Sequence, residues 1–245
     1  MDNLRISTIT AVGILFTNNT ELKTIYDSIE IDDVFKYVKL NKSEKGINHK
    51  KKKKNKNKNK KDFFNQMTFH IYDGVKRNDG CVNLKLFKNG KIQMTGIISE
   101  EHGEGIINLI HNKLKDYPDI TFVDELKTEI VMVNSDFDYG KTIDRDKLYE
   151  YLIDNNYYVT YEPCIYPGVN IKYYYKEGND TGVCNCCEQC NGQGDGINSC
   201  LQVTFLVFHS GKIIIIFRTN GFSNNQIEKA YSFINNTLNK LFEEK

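Results

Sequence analysis

The chain has 245 residues, 40% of them apolar, including 14 Phe and 15 Tyr but no Trp, which is enough for a sizeable core in one large domain or two small ones. No apolar run approaches the roughly 18 residues of a membrane span and the N-terminus has no signal-peptide pattern. Cys184, Cys186, Cys187 and Cys190 are too close together for independent disulfides, so a reduced, intracellular setting is expected. The net charge of +1 hides nine lysines in residues 50–61, without which the formal charge would be −8.

In chain order, residues 6–16 are β-branched and apolar and predict a strand. Thr17 to Thr20 offer capping groups for a helix over 21–29, where Leu22, Ile25, Tyr26 and Ile29 fall at helical spacing. Residues 34–40 read as a short strand or as the end of that helical unit. Residues 41–62 are Lys- and Asn-rich, too poor in apolar area to offset their ordering entropy, and are expected to be disordered. Strand character resumes over 63–72. Residues 81–88 and 91–96 form a hairpin, and a helix opens at Ser99-Glu-Glu101 with Ile106, Ile107, Leu109, Ile110, Leu114 and Tyr117 on its apolar face.

The second half runs in the same order. A strand over 129–137 and a helix over 143–153 precede strands over 157–161 and 169–175. A Gly-, Asn- and Cys-rich insertion fills 176–200. A hairpin over 201–208 and 212–218 follows, and a helix over 225–241 closes the chain. Leu86-Phe-Lys-Asn-Gly-Lys-Ile92 and Val207-Phe-His-Ser-Gly-Lys-Ile213 place Phe, Gly and Lys identically about each turn, 121 residues apart. A unit written twice is the simplest reading: residues 1–118, with the insertion at 41–62, and residues 119–245, with the insertion at 176–200. Two such units would gain by joining into one antiparallel sheet with helices on one face, leaving the other face open for binding.

The order of elements and several motifs resemble the TATA-box-binding protein family. Tyr161-Glu-Pro-Cys-Ile-Tyr-Pro-Gly168 is similar to the family's Tyr-Glu-Pro-x-x-Phe-Pro-Gly, both hairpins to its Ile-Phe-x-Ser-Gly-Lys, and Met94-Thr-Gly96 with Ser99-Glu-Glu101 to its Thr-Gly-Ala-Lys-Ser-Glu-Glu. The insertions look most like versions carried by large DNA viruses. The resemblance implies an α+β fold: a saddle of two pseudo-symmetric repeats in one curved antiparallel sheet, with helices on the convex face. It implies a transcription initiation factor that bends AT-rich promoter DNA through the minor groove and recruits RNA polymerase. Unstacking a base step costs about a few kcal/mol, offset by wrapping the bent duplex. Host nucleus or cytoplasmic viral factory would be its place of action.

Carried over by position, the aromatic wedges are Phe64 and Phe87, then Tyr166 and Phe208, with Phe35 an alternative to Phe64. Lys91, Lys172 and Lys212 match phosphate contacts, and Thr95 matches a threonine of the groove floor. Glu162, Cys164 and Ile165 match the contact for the B-type general initiation factor. There are departures. The family's asparagine near the start of each repeat is missing around Arg5–Ser7 and Ile130–Met132, with Asn134 out of register. Ile216-Phe217 replaces the second Thr-Gly. Weaker discrimination is therefore expected, leaning on DNA shape. The alternative is a degenerate saddle that serves as a protein-interaction platform in a viral transcription complex, with little or no DNA binding of its own.

Three features stand apart. Residues 50–61 could be a DNA-tethering or nuclear-localisation arm, or a solvated loop. Cys184, Cys187, Cys190 and Cys200, with Cys186 as an alternative, have the thiolate density for a structural tetrahedral Zn²⁺, against free thiols in a loop. Scattered histidines, and a Ser210 without triad partners, propose no enzyme.

Overall fold

The computed structural model describes residues 4–48, 65–75, 80–179, 181–186, 190–194, 200–218 and 224–243. The chain divides into two compact units, Ile9–Ile130 and Met1–Thr8 with Val131–Lys245. The backbone passes between them inside two strands, β1 (Arg5–Ile14) and β7 (Thr128–Asp138). The architecture is antiparallel sheet plus four helices among the described residues, an α+β fold.

In Ile9–Ile130, β1 leads to α1 (Leu22–Ser28), β2 (Phe35–Leu40), β3 (Ser43–Gly46), β4 (Gln66–Ile71), β5 (Val82–Phe87), β6 (Lys91–Ile97) and α2 (Glu100–Leu114). Its strands are ordered β3-β2-β4-β5-β6-β1. In the other unit, β7 leads to α3 (Arg145–Asp154), β8 (Tyr158–Thr160), β9 (Val169–Tyr175), β10 (Leu201–Val207), β11 (Lys212–Phe217) and α4 (Asn224–Glu243). There the order is β8-β9-β10-β11-β7. Setting β3 aside, the two orders are the same, and the hairpin registers agree: Leu86 faces Ile92 as Val207 faces Ile213.

Alternation along the strands assigns the two faces. Val82, Leu84 and Leu86 of β5, and Ile92 and Met94 of β6, are at most 1% exposed and lie toward the helices. Ile106, Ile107, Ile110 and Leu114 of α2 cover them. In the second unit Val203, Phe205, Val207, Ile213 and Ile215 pack with Leu148 and Leu152 of α3 and with Ala230, Ile234 and Leu238 of α4. The two longest helices follow the hairpins, because each buries an i, i+4 stripe over the hairpin's core face. Ser99 caps α2 by accepting from the His102 backbone N–H at 3.1 Å, and Asp144 caps α3 by accepting from Lys147 N–H. Ile143 therefore precedes α3 rather than opening it, and its N–H donates to the His209 carbonyl.

Both hairpin turns need glycine for one physical reason. Gly90 has φ +77, and a Cβ there would stand 1.8 Å from the Phe16 carbonyl oxygen; Gly211 has φ +88, with the Lys141 oxygen 2.4 Å away. Each turn is docked on the segment that leaves the first strand of its unit. Leu15 N–H donates to Gly90 O at 2.8 Å, and Tyr139 N–H donates to Gly211 O at 2.9 Å.

Two expectations are corrected. Residues 41–62 are not wholly unstructured: Ser43–Gly46 pairs with β2, Tyr37 opposite Gly46 and Leu40 opposite Ser43. Asn41 takes φ +52 in the connecting turn, and Lys45 Nζ donates to the carbonyls of Asp27 and Ile29, so a polar segment with no core is held by backbone pairing. The lysine tract lies outside the described residues. Nor do Thr17–Thr20 cap α1. Its cap residue is Glu21, with no side-chain cap bond, while Asn18 bridges Asp119 O and Thr121 N–H.

Candidate nucleic-acid interface

Each sheet has a face turned away from its helices. In Ile9–Ile130 it carries Asn83, Lys85 and Phe87 of β5, Lys91, Gln93 and Thr95 of β6, and Thr10, Val12 and Ile14 of β1, whose partners across the ladder are Thr95, Gln93 and Lys91. Phe87 is half-buried at the end of β5, opposite Gln66. With Asn65, Lys91 and Gln93 it borders an open groove of about 1160 Å³. Lys91 is exposed and Thr95 half-buried. Phe64 lies outside the described residues. The alternative wedge, Phe35, is a core residue, 3% exposed. Its ring meets Phe69 edge-on at 6.1 Å with the Lys113 ammonium above it, so it cannot reach a ligand.

In the second unit the corresponding face carries Gln202, Thr204, Leu206 and Phe208 after β10, and Lys212, Ile214 and Ile216 of β11. Asn134, Asp136 and Asp138 of β7 lie opposite Ile216, Ile214 and Lys212. Tyr166 and Phe208 meet here, ring centroids 5.9 Å apart at 62°. A Cβ on Gly168 would stand 2.9 Å from Tyr166 Cε1 and 3.2 Å from Phe208 Cε1. The Tyr-Pro-Gly turn thus needs its glycine to admit both rings. Arg145 holds that turn in place, donating to the Pro167 carbonyl and lying 5.4 Å from the Tyr161 ring centre. At its tip Ile165 is 79% exposed, beside exposed Glu162 and Cys164.

Three cations here, Lys172, Arg5 and Lys212, are engaged. Lys172 Nζ donates to Thr204 Oγ1 at 2.9 Å, and burial, then the nearby Arg218, push its pKa down. The Lys172 ammonium thus lies along the sheet against β10. Arg5 reaches both oxygens of Asp136 at 3.1 Å, and Lys212 Nζ is 3.9 Å from the same carboxylate. That carboxylate is 14% exposed.

Sequence reasoning missed Thr10 and named Asn134 without its partner on β11. The registers give them the same place in the two units: Thr10 faces Thr95, and Asn134 faces Ile216. Thr10 Oγ1 and Asn134 Oδ1 are buried with no hydrogen-bond partner among the described residues, as is Asn170 Oδ1 on β9. Leaving such a group unpaired costs about 1–3 kcal/mol, and Thr10, 2% exposed, is as closed to a ligand as Phe35. The pairing that places Asn134, to β11 some 80 residues on, leaves no local trace in the sequence.

Apart from this face, Cys184, Cys186, Cys190 and Cys200 hold their sulfurs within 4.8 Å of one another, close enough for a metal ion. Cys186, the alternative, is in the group; Cys187 lies outside the described residues.

The fold defined by these two like-ordered units is that of the TATA-box-binding proteins. The chain matches the Methanococcus jannaschii TBP with a TM-score of 0.53 and 18% identity, over 97% of this chain and 99% of that one. In sequence it is similar to a TATA-box-binding protein-like protein of Acanthamoeba polyphaga mimivirus, 28% identical over 204 residues, which is 74% of this chain and 49% of that protein. The chain thus spans about half the length of that relative. No protein-family model matches it. Among the described residues no helix is long and apolar enough to cross a membrane.

Proposed function

We propose that the chain is a TATA-binding-protein-like transcription initiation factor that binds AT-rich DNA through the minor groove and bends it. The Tyr166–Phe208 pair carries this reading: two rings edge to face at the end of a helix-free sheet face, beside a turn where a Cβ on Gly168 would crowd both rings. Phe87 has the equivalent place in the other unit. Inserted between base steps, such rings exchange base stacking for ring stacking and let a bent duplex cover apolar sheet. Thr95 and the Asn134 side-chain Nδ2, both on half-buried residues, offer hydroxyl and amide donors to the acceptors that A·T pairs present in the minor groove. Lys91 and Lys212 would meet phosphates. Glu162, Cys164 and Ile165 would meet a B-type initiation factor or its equivalent, through which polymerase is recruited.

The test is a binding titration of AT-rich and GC-rich duplexes by the wild type and Phe208→Ala. Preference for the AT-rich duplex, with affinity lost in the variant, is expected. A second reading, an assembly platform with little DNA binding of its own, draws on Asp136, Asp138, Ile214 and Ile216. These put carboxylates and bare aliphatics where the first unit has Val12, Ile14, Gln93 and Thr95. Equal, weak binding of both duplexes would favour it.

A further inference from the structure

We propose that Cys184, Cys186, Cys190 and Cys200 form a structural Zn²⁺ site that fastens the 176–200 insertion to the outer strands of its sheet. The sulfur positions already approach a metal's coordination shell. Zn–S bonds of about 2.3 Å in a tetrahedron place sulfurs about 3.8 Å apart. Cys186 and Cys200 Sγ are 3.4 Å apart, Cys200 and Cys184 Sγ 3.7 Å, and all four lie within 4.8 Å. These separations are far longer than the roughly 2.05 Å of a disulfide, and all four cysteines are free. The donor set is four sulfurs, the soft set that suits Zn²⁺ and not Mg²⁺ or Ca²⁺. The Cys200 backbone N–H donates to Cys190 Sγ at 3.2 Å, the kind of outer hydrogen bond that orients and stabilises a thiolate ligand.

The surroundings explain what a metal would do. The insertion has little apolar content, and its described contacts with the sheet are few. Tyr174 N–H donates to Gly182 O, and Gln202 N–H donates to Gly192 O, each at 2.9 Å. Gly182 packs on the Tyr173 ring, where a Cβ would come within 2.6 Å. Cys200 is fully buried and stands one residue before β10, while Cys184 follows the chain leaving β9. One ion bound by both, and by Cys186 and Cys190 between them, ties the two ends of the insertion together and closes the loop at the base of the β9–β10 pair. Binding of a metal by a segment that lacks its own core is how small thiolate sites stabilise a fold.

The site is read out without reference to DNA. Full-length protein purified without chelator is expected to carry one zinc per chain by elemental analysis. The cobalt-substituted protein is expected to show the intense visible bands and sulfur-to-metal charge-transfer absorption of tetrahedral thiolate coordination. Chelation should lower the melting temperature, and re-added Zn²⁺ should restore it. Cys184→Ser is expected to weaken metal binding at least tenfold, while Cys164→Ser, exposed on the distant 161–168 turn, leaves stoichiometry at one. Protein without metal, iron in place of zinc, a disulfide among the four in freshly purified reduced protein, or a cobalt spectrum unchanged by Cys184→Ser would each overturn the assignment.

Discussion

The helix-free faces of the two units rest on the same scaffold and carry different chemistry. In Ile9–Ile130 the central strands present Thr10, Val12, Gln93 and Thr95, with Lys85 and Lys91 beside them. In the other unit the same positions hold Asn134, Asp136, Ile214 and Ile216, with Lys172 bonded across the sheet and Arg5 paired to Asp136. Alternation explains how this can happen. Residues facing the helices fix the register, since a one-residue slip would turn every core side chain outward. The intervening residues are free to diverge while the backbone stays put. The units also secure the loop before the hairpin differently: the first joins Asp73 to His102 of α2, the second brings four cysteines together.

Breaking what the units share should have the largest effect. Gly90→Ala forces a Cβ to within 1.8 Å of Phe16 O, and Gly211→Ala to within 2.4 Å of Lys141 O. Left-handed strain on a non-glycine residue costs about 1–3 kcal/mol before any clash. Chemical denaturation should show both variants destabilised by more than about 2 kcal/mol, Gly90→Ala the more. A neutral result at either glycine would mean that its hairpin is not docked as described.

Removing the wedges comes next. Phe87→Ala and Phe208→Ala should each lower affinity for an AT-rich duplex by about 1–3 kcal/mol, the usual worth of an aromatic stacked on a base, with melting temperature nearly unchanged. Loss confined to one unit would make the faces unequal in function as well as in composition.

Smaller effects test the charge difference. Lys91→Ala should weaken binding and lower the salt dependence by about one ion. Asp136→Asn should do the reverse, because it releases Arg5 from its bidentate partner. If Asp136→Asn leaves the salt slope unchanged, the Arg5–Asp136 pair does not face DNA. The smallest change is expected from Ile216→Thr, which restores the hydroxyl that Thr95 offers in the first unit. It should sharpen preference for A·T over G·C steps by at most about 1 kcal/mol, within the range of one added minor-groove hydrogen bond.

Much of the fold is legible in the sequence because the strands alternate cleanly and the hairpins repeat. Leu86 to Ile92 and Val207 to Ile213 announce the duplication, and Pro163, Pro167 and Gly168 announce the turn that presents Tyr166. What stays hidden depends on partners distant in sequence. Ser43–Gly46 has the composition of a loop and becomes a strand only because β2 offers it an edge. Lys172 matches a phosphate contact by position, and its bond to Thr204, 32 residues on, is not legible in the sequence. Thr10 and Asn134 look unremarkable in sequence, and only the registers against β6 and β11 make them equivalent. Among the described cysteines the fold gathers Cys186 with Cys184, Cys190 and Cys200, a grouping that spacing alone left open.

Fluorescence-detected bending of an end-labelled AT-rich duplex tests the central claim most directly. The wild-type protein is expected to shorten the end-to-end distance at saturating concentration, and Phe87→Ala and Phe208→Ala each to reduce the bend without unfolding the chain. Saturable binding that leaves the duplex straight, or a bend that neither substitution alters, would contradict it.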